Sequence, residues 1–340
     1  MEQYRDFGAC VQAFFTSYLV NERGVSHHTI RSYRDTFSLL LEYMAEVRHT
    51  PVQKVSFSHL NKECISGFLD WLEEARGSTV ATRNQRFTAL RSFFRYILHV
   101  DPSHMKQWMD ICSMKKKKGP KGALEYLPVD GIALILKQVD TSTTRGFRNM
   151  VMMSTMYNTA CRCQELIDLT PRCLNMGNRT VTLFGKGSKS RTVWLDEDIT
   201  NLLSEYLKRT GLDAPGRDGQ PLFANSWGGK MTGAGVTYVV KKYAEMAREQ
   251  RPDLVRGKIS PHVFRHSRAM HLLQAGVELI YIRDILGHVS SQTTEIYARA
   301  DNKAKTEALE NAYRDIGIQE PEVKPWAKNA QLKDFLKSLA

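Results

Sequence analysis

A lysine-rich segment in the first half of the chain constrains the fold more than any other sequence feature. Residues 114–122 read Met-Lys-Lys-Lys-Lys-Gly-Pro-Lys-Gly. This segment has no apolar face to bury, and its Gly and Pro residues favour an exposed, extended backbone. We therefore predict a basic linker at 115–122 between two domains, residues 1–114 and residues 123–316. Two domains also suit a chain of 340 residues, because domains of about 150 residues are common.

The chain carries an excess of positive charge that indicates a polyanionic partner. It has 48 Lys and Arg residues against 36 Asp and Glu residues, which gives a formal net charge of +12. Residues 1–121 and residues 122–340 each contribute +6, so the shorter N-terminal part is the more densely basic. An excess of this size favours nucleic acid or an acidic membrane surface as the partner.

Several classes of protein do not fit the sequence. No stretch approaches the ~20 consecutive apolar residues of a membrane span. The first ten residues carry acidic side chains and lack the basic-then-apolar order of a secretory signal. These observations exclude a spanning segment and a secretory signal. We expect a cytoplasmic protein and, of the two polyanions, nucleic acid as the partner and no membrane. The six cysteines are too sparse for a disulfide scaffold, and the spacing of Cys161, Cys163 and Cys173 does not fit a zinc site. Reduced thiols, no bound metal and no cofactor are expected.

Apolar periodicity predicts a mainly α-helical chain with one small β-hairpin, an α+β fold. In the N-terminal domain it predicts four helices, which are Phe7–Asn21, His27 to about Val47, one from Ser58 that stops before Gly77, and one from Thr79 or Thr82. In the second domain the predicted helices are Pro128–Val139, Arg145–Asn158, Arg162–Asp168, Asp198–Lys208, Thr232–Arg248, Pro261–Gln274, Leu279–Leu286 and Ser291–Ala298. The predicted hairpin strands are Arg179–Phe184 and Ser190–Leu195, joined by a turn at residues 185–189.

Basic residues occupy helix faces opposite the apolar stripes of the N-terminal domain. The predicted DNA contacts there are His27, Arg31 and Arg34 near the start of the second helix, Arg83, Arg86, Arg91 and Arg95 along the fourth, and the linker residues Lys115, Lys116, Lys117 and Lys118. A basic helix face is usually only a solvated face. Two such faces in a domain of net charge +6, joined to a lysine-rich linker, favour contact with the phosphate backbone.

The C-terminal region, residues 317–340, is predicted to hold a linker and a short helix. Leu332, Phe335, Leu336 and Leu339 fall at i, i+3, i+4 and i+7, so that helix has one apolar face. The face either packs on its own chain or docks on a neighbouring copy, and the sequence leaves both readings open.

Six polar residues within strongly apolar surroundings form a set suited to phosphodiester cleavage without a metal ion. They are Arg162, Lys186, His262, Arg265, His288 and Tyr297, and Glu165 lies one turn after Arg162, where it can orient the guanidinium. Two guanidiniums can clamp the nonbridging oxygens, and a tyrosine can attack phosphorus. A lysine or histidine can give a proton to the departing 5′-oxygen. No paired carboxylates suited to Mg²⁺ stand out, which argues against a two-metal nuclease.

The motifs around these residues resemble those of the tyrosine recombinase (lambda-type integrase) family, in the family's order and over nearly the whole chain. Residues 159–166 (TACRCQEL) resemble the first arginine box, 185–191 (GKGSKSR) the lysine hairpin, 261–266 (PHVFRH) the HxxR box, and 286–288 (LGH) and 293–297 (TTEIY) the last two boxes. The gaps of 26 residues from His262 to His288 and 9 to Tyr297 fit Xer-type members. The family usually has Gly at Ala160 and an aliphatic residue at Cys161, and both positions belong to the turn that aims Arg162.

The resemblance implies a four-helix core-binding (SAM-like) domain and a catalytic domain of the DNA breaking-rejoining type, which close around duplex DNA as a C-shaped clamp. It implies that Tyr297 is the nucleophile and forms a 3′-phosphotyrosyl link, that strands are exchanged through a Holliday junction, and that neither ATP nor metal is required. Lys189, a near alternative to Lys186, and Arg191 lie on the same hairpin and are expected to contact DNA. Family members act as a dimer on each site and a tetramer in synapsis, with the C-terminal helix given to a neighbour.

The biological role is less constrained than the chemistry. The contexts 157–159 (YNT) and 296–300 (IYARA) favour an integrase or transposase of a bacterial mobile element over a chromosome-dimer resolvase. Accessory DNA-bending proteins or co-encoded recombinases are possible further partners. Two other classes stay open, a type IB topoisomerase that relaxes DNA by swivelling and a DNA-binding regulator that has the fold without the activity.

Overall fold

The computed structural model describes residues 6–119, 124–185, 189–288, 293–300 and 330–339. The chain divides into two compact units, Met1–Gly122 and Ala123–Ala340, and the division falls at the end of the lysine-rich segment. Both units are built mainly from helices, and the described part of the second unit adds a small three-stranded sheet. The predicted α+β class is therefore confirmed. Within these ranges, no helix is both long enough and apolar enough to cross a membrane.

The helices of the N-terminal unit begin at polar residues that cap their first backbone N–H groups. Ser26 Oγ accepts a hydrogen bond from the backbone N–H of Thr29 at 3.4 Å, and Thr79 Oγ1 accepts one from Thr82 at 3.3 Å. The elements are α1 (Phe7–Ala13), which continues as a π-helical segment (Phe14–Glu22), α2 (His27–Glu46), α3 (Lys62–Glu74), α4 (Val80–Val100) and α5 (Met105–Ser113).

Two details of this unit differ from the sequence prediction. Helix α3 does not begin at Ser58, which lies in a single 3₁₀ turn, because Asn61 caps the helix and its Oδ1 accepts from the Cys64 N–H at 2.8 Å. Helix α5 adds a fifth helix to the four that were predicted. Its fully buried Trp108 stacks on Phe94 with ring centroids 5.3 Å apart, so tertiary packing stabilises a helix too short to form alone.

Aromatic side chains fill the core of the N-terminal unit. Phe93 of α4 packs edge-to-face against Phe14 at 5.2 Å and against Phe37 at 5.1 Å between ring centroids. All three rings are buried, and edge-to-face pairs add to the stabilisation that apolar burial supplies. These contacts join α1 with its π-helical extension, α2 and α4 into one core.

The second unit surrounds a small antiparallel sheet with helices. Its helices are α6 (Val129–Lys137), α7 (Thr144–Thr159), α8 (Cys163–Ile167), α9 (Glu197–Thr210), α10 (Gly233–Gln250), α11 (Pro261–Gln274), α12 (Leu279–Leu286), α13 (Glu295–Ala300) and α14 (Ala330–Lys337). Helix α13 begins at Glu295, later than the predicted Ser291, and residues 289–292 lie outside the described ranges.

The predicted hairpin forms between β2 (Thr180–Phe184) and β3 (Ser190–Trp194), with Val181 opposite Val193 and Phe184 opposite Ser190. A two-residue strand, β1 (Leu174–Asn175), pairs with β2 and was not predicted. At the turn end of the hairpin, the Gly185 N–H donates to the Lys189 carbonyl at 2.8 Å. Residues 186–188 of the turn lie outside the described ranges.

Helix α7 lies at the centre of the second unit, and most of its residues are buried. It packs against α9 and α11, and the core around it includes Met152, Met153, Met156 and Phe264. Because α7 and α11 are fixed in this core, the residues at the end of α7 and at the start of α11 are held by a rigid support.

Candidate active site

Helix α11 presents three of the polar residues on which the site is built. Pro261 stands in its first turn, where a missing N–H costs nothing. His262 is exposed, Arg265 lies one turn later and is 4% exposed, and His266 is partly buried beside it. The helix thus carries one histidine at the surface and delivers a guanidinium and a second imidazole to the interior.

Arg162 is aimed by the turn between α7 and α8. Helix α7 ends at Ala160, whose φ of +48° lies in the left-handed region that favours glycine. Arg162 then caps α8, and its backbone N–H donates to Glu165 Oε2 at 2.8 Å. Its Nη1 donates to Glu165 Oε1 at 2.8 Å, and its Nη2 donates to the Gly287 carbonyl at 3.1 Å. Glu165, which was predicted to orient the guanidinium, therefore contacts Arg162 through both of its carboxylate oxygens.

Arg265 is held by two backbone carbonyls. Its Nη1 donates to the Ala160 carbonyl at 2.7 Å, and its Nη2 donates to the Leu286 carbonyl at 2.6 Å. Burial and the neighbouring charge of Arg162 lower the pKa of Arg265 to about 10, so the guanidinium stays charged at neutral pH. Arg162 and Arg265 therefore meet beside the end of α12, where successive carbonyls receive their N–H groups.

Arg191 has a different position from the one predicted. Its Nη1 and Nη2 donate to the two oxygens of Glu165 at 2.9 and 2.7 Å, and its Nε donates to the Ile285 carbonyl at 2.7 Å. The side chain is 12% exposed. We correct its assignment from a DNA contact to an internal partner of Glu165, because its donors are directed at groups of the protein.

The Glu165 carboxylate is buried between two guanidiniums. Burial raises the pKa of a carboxyl group, but the hydrogen bonds from Arg191 and from the Arg162 backbone and side chain outweigh it and hold the pKa at about 2. Glu165 is therefore ionised at neutral pH and fixes both arginines.

Tyr297 lies on α13 with its side chain fully buried. Its ring packs among Ala160, Ala269 and Leu286, and its hydroxyl lies 2.9 Å from His266 Nδ1. Burial raises the pKa of the phenol, while the nearby charges of Arg265 and Arg162 act to lower it. The predicted nucleophile thus packs with Ala160 and Leu286, the two residues whose carbonyls hold Arg265.

His288 follows the end of α12 and completes the described part of the site. Its Nδ1 lies 3.0 Å from Oγ1 of the buried Thr294. Burial and then the charges of Arg265, Arg162 and Arg191 lower the pKa of His288 to about 4. The imidazole is therefore neutral at neutral pH. Lys186 lies outside the described residues, and Lys189 is exposed at the base of the hairpin turn.

The basic residues of the N-terminal unit divide into exposed and internal groups. Those with exposed side chains are His27, Arg31, Arg34, Arg95, Lys115, Lys116, Lys117 and Lys118, while Arg86 and Arg91 are partly buried. Arg83 is 8% exposed, and its Nε lies 3.1 Å from Glu73 Oε2. We correct Arg83 to an internal ion-pair residue, because DNA cannot reach a guanidinium buried against a carboxylate of the neighbouring helix.

The polar faces of α2 and α4 are also tied to each other. Arg86 Nη1 donates to the Ser32 carbonyl at 2.9 Å, and Gln85 Nε2 donates to Ser32 Oγ at 3.0 Å. Arg34 forms an ion pair with its neighbour Asp35 at 2.8 Å. The start of α4 is therefore joined to α2 at Ser32, and part of the positive charge of α2 is compensated by Asp35.

Two residues of the site were not singled out from the sequence, His266 and Thr294. His266 directly follows Arg265 and lies at i+4 from His262, so helical spacing already places both histidines on neighbouring positions of α11. Their ring centroids are 6.5 Å apart. Among the described residues, no three His, Cys, Asp or Glu side chains come close enough together to hold a metal ion.

Comparison with known proteins finds relatives along most of the chain. Residues 13–110 match the model described as the phage integrase N-terminal SAM-like domain, and residues 125–304 match the phage integrase family. The chain is 32% identical over 311 residues to a putative integrase/recombinase, y4rC, of Sinorhizobium fredii, covering 91% of this chain and 92% of that protein. It is 30% identical over 286 residues to tyrosine recombinase XerD of Listeria monocytogenes, covering 83% and 91%. The crystal structure of XerH site-specific recombinase bound to difH substrate, a pre-cleavage complex, matches with a TM-score of 0.65 and 25% identity, covering 89% of this chain and 82% of that one.

Proposed function

The chain belongs to the phage integrase family, and from this premise we propose that it is a site-specific DNA recombinase whose nucleophile is Tyr297. The observation that carries the proposal is that Tyr297 packs with Ala160 and Leu286, whose carbonyls hold Arg265, while Arg162 is held by the adjacent Gly287 carbonyl. A phenol placed next to two guanidiniums is suited to attack on a phosphodiester. The similar XerH site-specific recombinase is bound to its difH substrate in a pre-cleavage complex, which supports a specific recombination site in duplex DNA as the substrate proposed here.

In the proposed reaction, Tyr297 Oη attacks phosphorus and forms a 3′-phosphotyrosyl link, and a 5′-hydroxyl leaves. Each terminal nitrogen of Arg162 and Arg265 carries two N–H groups. A hydrogen bond to a main-chain carbonyl uses only one of the two N–H groups on that nitrogen. The remaining N–H groups can bind the nonbridging oxygens as negative charge develops. Lys186 is proposed to protonate the departing oxygen, and the exposed His262 to donate to the phosphate.

Attack by a 5′-hydroxyl of a partner duplex reverses the first step and exchanges the strands through a Holliday junction. The bond to Tyr297 conserves the free energy of the phosphodiester, so the proposed reaction requires no ATP. Two guanidiniums, and not a metal ion, are proposed to stabilise the negative charge that develops on the phosphate. His288 is neutral at neutral pH and is suited to donate a hydrogen bond to the phosphate from the nitrogen that does not contact Thr294.

The proposal is tested by trapping the covalent intermediate. Duplexes retained by Tyr297→Phe from a randomised library supply a substrate, which is then nicked and incubated with the wild-type protein in EDTA. We expect a covalent protein–DNA adduct on denaturing gels, none with Tyr297→Phe, and wild-type amounts with the control Tyr281→Phe, which changes an exposed tyrosine of α12. An adduct that forms only with added metal, or that survives Tyr297→Phe, would contradict the mechanism.

The exposed basic residues of the N-terminal unit are proposed to bind the phosphate backbone without cutting it, and the two domains to close around the duplex as a clamp. A dimer on each site and a tetramer in synapsis are the proposed assemblies. The C-terminal helix α14 is the proposed bridge between copies, since its Phe335, Leu336 and Leu339 are each more than half exposed, and Leu332 is partly buried.

Removal of residues 326–340 tests the bridging role of α14. We expect the truncated protein to bind a single site but to lose cooperative assembly on DNA, measured by gel shift and by light scattering. Asp334→Ala, on the polar face of the same helix, is the matched control and should assemble normally. Unchanged cooperativity after truncation would show that α14 does not join copies.

The proposed biological role is integration, excision or transposition of a bacterial mobile element, in the cytoplasm and on the nucleoid. Accessory DNA-bending proteins or co-encoded recombinases are the further partners proposed for this role.

A plasmid carrying two copies of the selected site separates recombination from the activity of a topoisomerase. Recombinant products are expected, whereas relaxation without them would favour the swivelling mechanism, and binding without either would favour a regulator.

A further inference from the structure

His266 makes the one contact with the Tyr297 hydroxyl that the described residues provide. Its Nδ1 lies 2.9 Å from Tyr297 Oη, and the two ring centroids are 5.8 Å apart. His266 extends from α11 directly after Arg265, so it reaches the hydroxyl from the same rigid helix that delivers a guanidinium to the site. None of the roles assigned above involves this imidazole.

The protonation states of the two groups fix the direction of this hydrogen bond. Burial, followed by the charges of His262 and Arg265, lowers the pKa of His266 to about 4, so the imidazole is neutral at neutral pH. Burial raises the pKa of Tyr297, so the phenol keeps its proton. A buried phenol needs an acceptor, and His266 Nδ1 is the acceptor within reach among the described residues. The imidazole then carries its proton on Nε2.

The same geometry decides where the phenolic proton can go. Tyr297 is fully buried, so its hydroxyl does not contact bulk water in this state. In this state a proton lost from Oη passes most directly to the group already bonded to it, which is His266. Glu165, the buried carboxylate described in the site, is occupied by Arg162 and Arg191.

We propose that His266 is the general base of strand cleavage, accepting the Tyr297 proton on Nδ1 as Oη bonds to phosphorus. This inference rests on the proposed recombinase function. As the Oη–P bond forms, the P–O5′ bond breaks, and its electron pair leaves with the 5′-oxygen, which takes a proton from the separate acid assigned to Lys186. In the reverse step the incoming 5′-hydroxyl loses its proton to that acid's conjugate base, and the Nδ1 proton returns to Tyr297.

Binding of DNA should raise the pKa of His266 and so make it a stronger base during strand cleavage. Positive charge and burial make His266 a weak base in the free protein. A phosphodiester bound by Arg162 and Arg265 brings one negative charge, which offsets the arginine charge and favours the imidazolium. The phenol meanwhile becomes more acidic as its oxygen bonds to phosphorus. The proton transfer is thus coupled to occupation of the site by a phosphate.

Helix α11 supplies a matched control for substitutions at His266. His271 also accepts from a tyrosine hydroxyl at Nδ1, that of Tyr157 at 2.8 Å, and its Nε2 contacts the Leu127 carbonyl at 2.9 Å. His271 therefore repeats the histidine–tyrosine contact in a pair that is not part of the proposed catalytic set. Asparagine retains an acceptor near the Nδ1 position but does not take up a proton, so His266→Asn and His271→Asn separate proton transfer from hydrogen bonding.

The rate of covalent adduct formation on the nicked duplex tests the proposal. We expect His266→Asn to lower the rate about 10²-fold or more, the range typical of a lost general base, while His271→Asn stays near wild type. Wild-type rates in His266→Asn would overturn the proposal and leave a purely positioning contact. A faster rate would also overturn it, because it would mean that His266 restrains the tyrosine.

A duplex with sulfur in place of the bridging 5′-oxygen separates the base from the acid. A thiolate leaves without a proton, so this substrate should restore cleavage by Lys186→Ala but not by His266→Asn. Restoration of both variants would overturn the assignment of His266 to the nucleophile's proton.

A measurement without DNA separates failure of this inference from failure of the proposed function. In nitrogen-15 spectra of histidine-labelled protein at neutral pH, we expect a neutral His266 with Nε2 protonated and Nδ1 accepting, and a shift of the Nδ1 signal in Tyr297→Phe. A protonated Nδ1 would overturn the inference even if the wild-type protein forms the adduct. Absence of any wild-type adduct with the expected spectrum would instead count against the recombinase function, and with it the catalytic role of the contact.

Discussion

Glu165 is the residue whose substitution should affect the catalytic unit most, because two guanidiniums share its buried carboxylate. Arg191 donates to both of its oxygens, and Arg162 donates to it from the backbone and from the side chain. Burial opposes ionisation, yet these donors hold the pKa at about 2, compared with an ordinary value of 4.5. At ~1.4 kcal/mol per pKa unit, the ionised contacts contribute about 3 kcal/mol to stability at neutral pH.

Glu165→Gln retains the shape of the side chain and removes its charge. Arg191, at 12% exposure, would then be a buried cation without its carboxylate, and loss of one member of a buried ion pair typically costs about 3–5 kcal/mol. Hydrogen exchange of the amides in α7 and α11, resolved by mass spectrometry, measures the free energy of unfolding of this unit alone. Glu205→Gln, which changes an exposed carboxylate paired with Arg209, is the control and should unfold like wild type.

The pH dependence gives a second test with a defined sign. Because the pKa of Glu165 is depressed in the folded state, its stabilising contribution is complete above pH 4.5 and is lost as the pH falls toward about 2. The difference between wild type and Glu165→Gln should therefore shrink across that interval. A loss below about 1 kcal/mol at neutral pH, or a difference that stays constant from pH 7 to pH 2, would refute the assigned role of the carboxylate.

Three further predictions follow from single contacts. Thr294→Val removes the hydroxyl 3.0 Å from His288 Nδ1 and should slow adduct formation roughly fivefold to tenfold without changing DNA affinity, since one hydrogen bond contributes ~1 kcal/mol. The pKa of His266 is about 4 in the folded protein and 6.5 ordinarily, so the unfolded chain binds this proton at a higher pH than the folded protein does. The free energy of unfolding, measured with urea, should therefore fall from pH 6.5 to pH 4 more steeply in wild type than in His266→Asn. Arg31→Ala should reduce the slope of log affinity against log salt by about 1, whereas Arg83→Ala should lower stability and leave the slope unchanged.

Local sequence signals were sufficient for the helices that carry the site. Helices α11 and α12 have the predicted bounds, Pro261–Gln274 and Leu279–Leu286. Pro261 in the first turn of α11 and Gly287 after the last turn of α12 are strong signals of helix boundaries. Each satisfies a local backbone requirement that does not depend on tertiary contacts. His262 and Arg265 both fall within the predicted helix Pro261–Gln274, and their separation of three residues predicts that they share a face.

The partners of individual arginines could not be predicted, because they are distant in sequence. Arg191 looked like a DNA contact at the edge of a basic hairpin, but its partners are Glu165, 26 residues earlier, and the Ile285 carbonyl, 94 residues later. Arg83 belongs to the same basic series on α4 as Arg86, Arg91 and Arg95, but it faces Glu73 of α3. Charge patterns identify which residues are basic, whereas the direction of each guanidinium depends on how helices pack.

The ends of two helices explain why Arg162 and Arg265, the arginines of the proposed catalytic set, are oriented in the free protein. The last carbonyls of a helix have no partner within it and carry partial negative charge, so they accept well from a cation. Helix α7 ends at Ala160 and α12 ends before Gly287, both with positive φ, and the carbonyls of Ala160, Leu286 and Gly287 receive N–H groups of Arg265 and Arg162.

Both the available space and the backbone conformation require glycine at position 287. Its φ is +62°, and a Cβ there would lie 2.9 Å from Arg191 Nη1. Any other residue would therefore displace Arg191, and with it the carboxylate of Glu165 that holds Arg162. The position of each guanidinium thus depends on main-chain geometry at helix ends and on one shared carboxylate. The left-handed turns matter for the proposed chemistry because they position the carbonyls that accept from Arg162 and Arg265. The remaining N–H groups of both guanidiniums are then free to bind a phosphate.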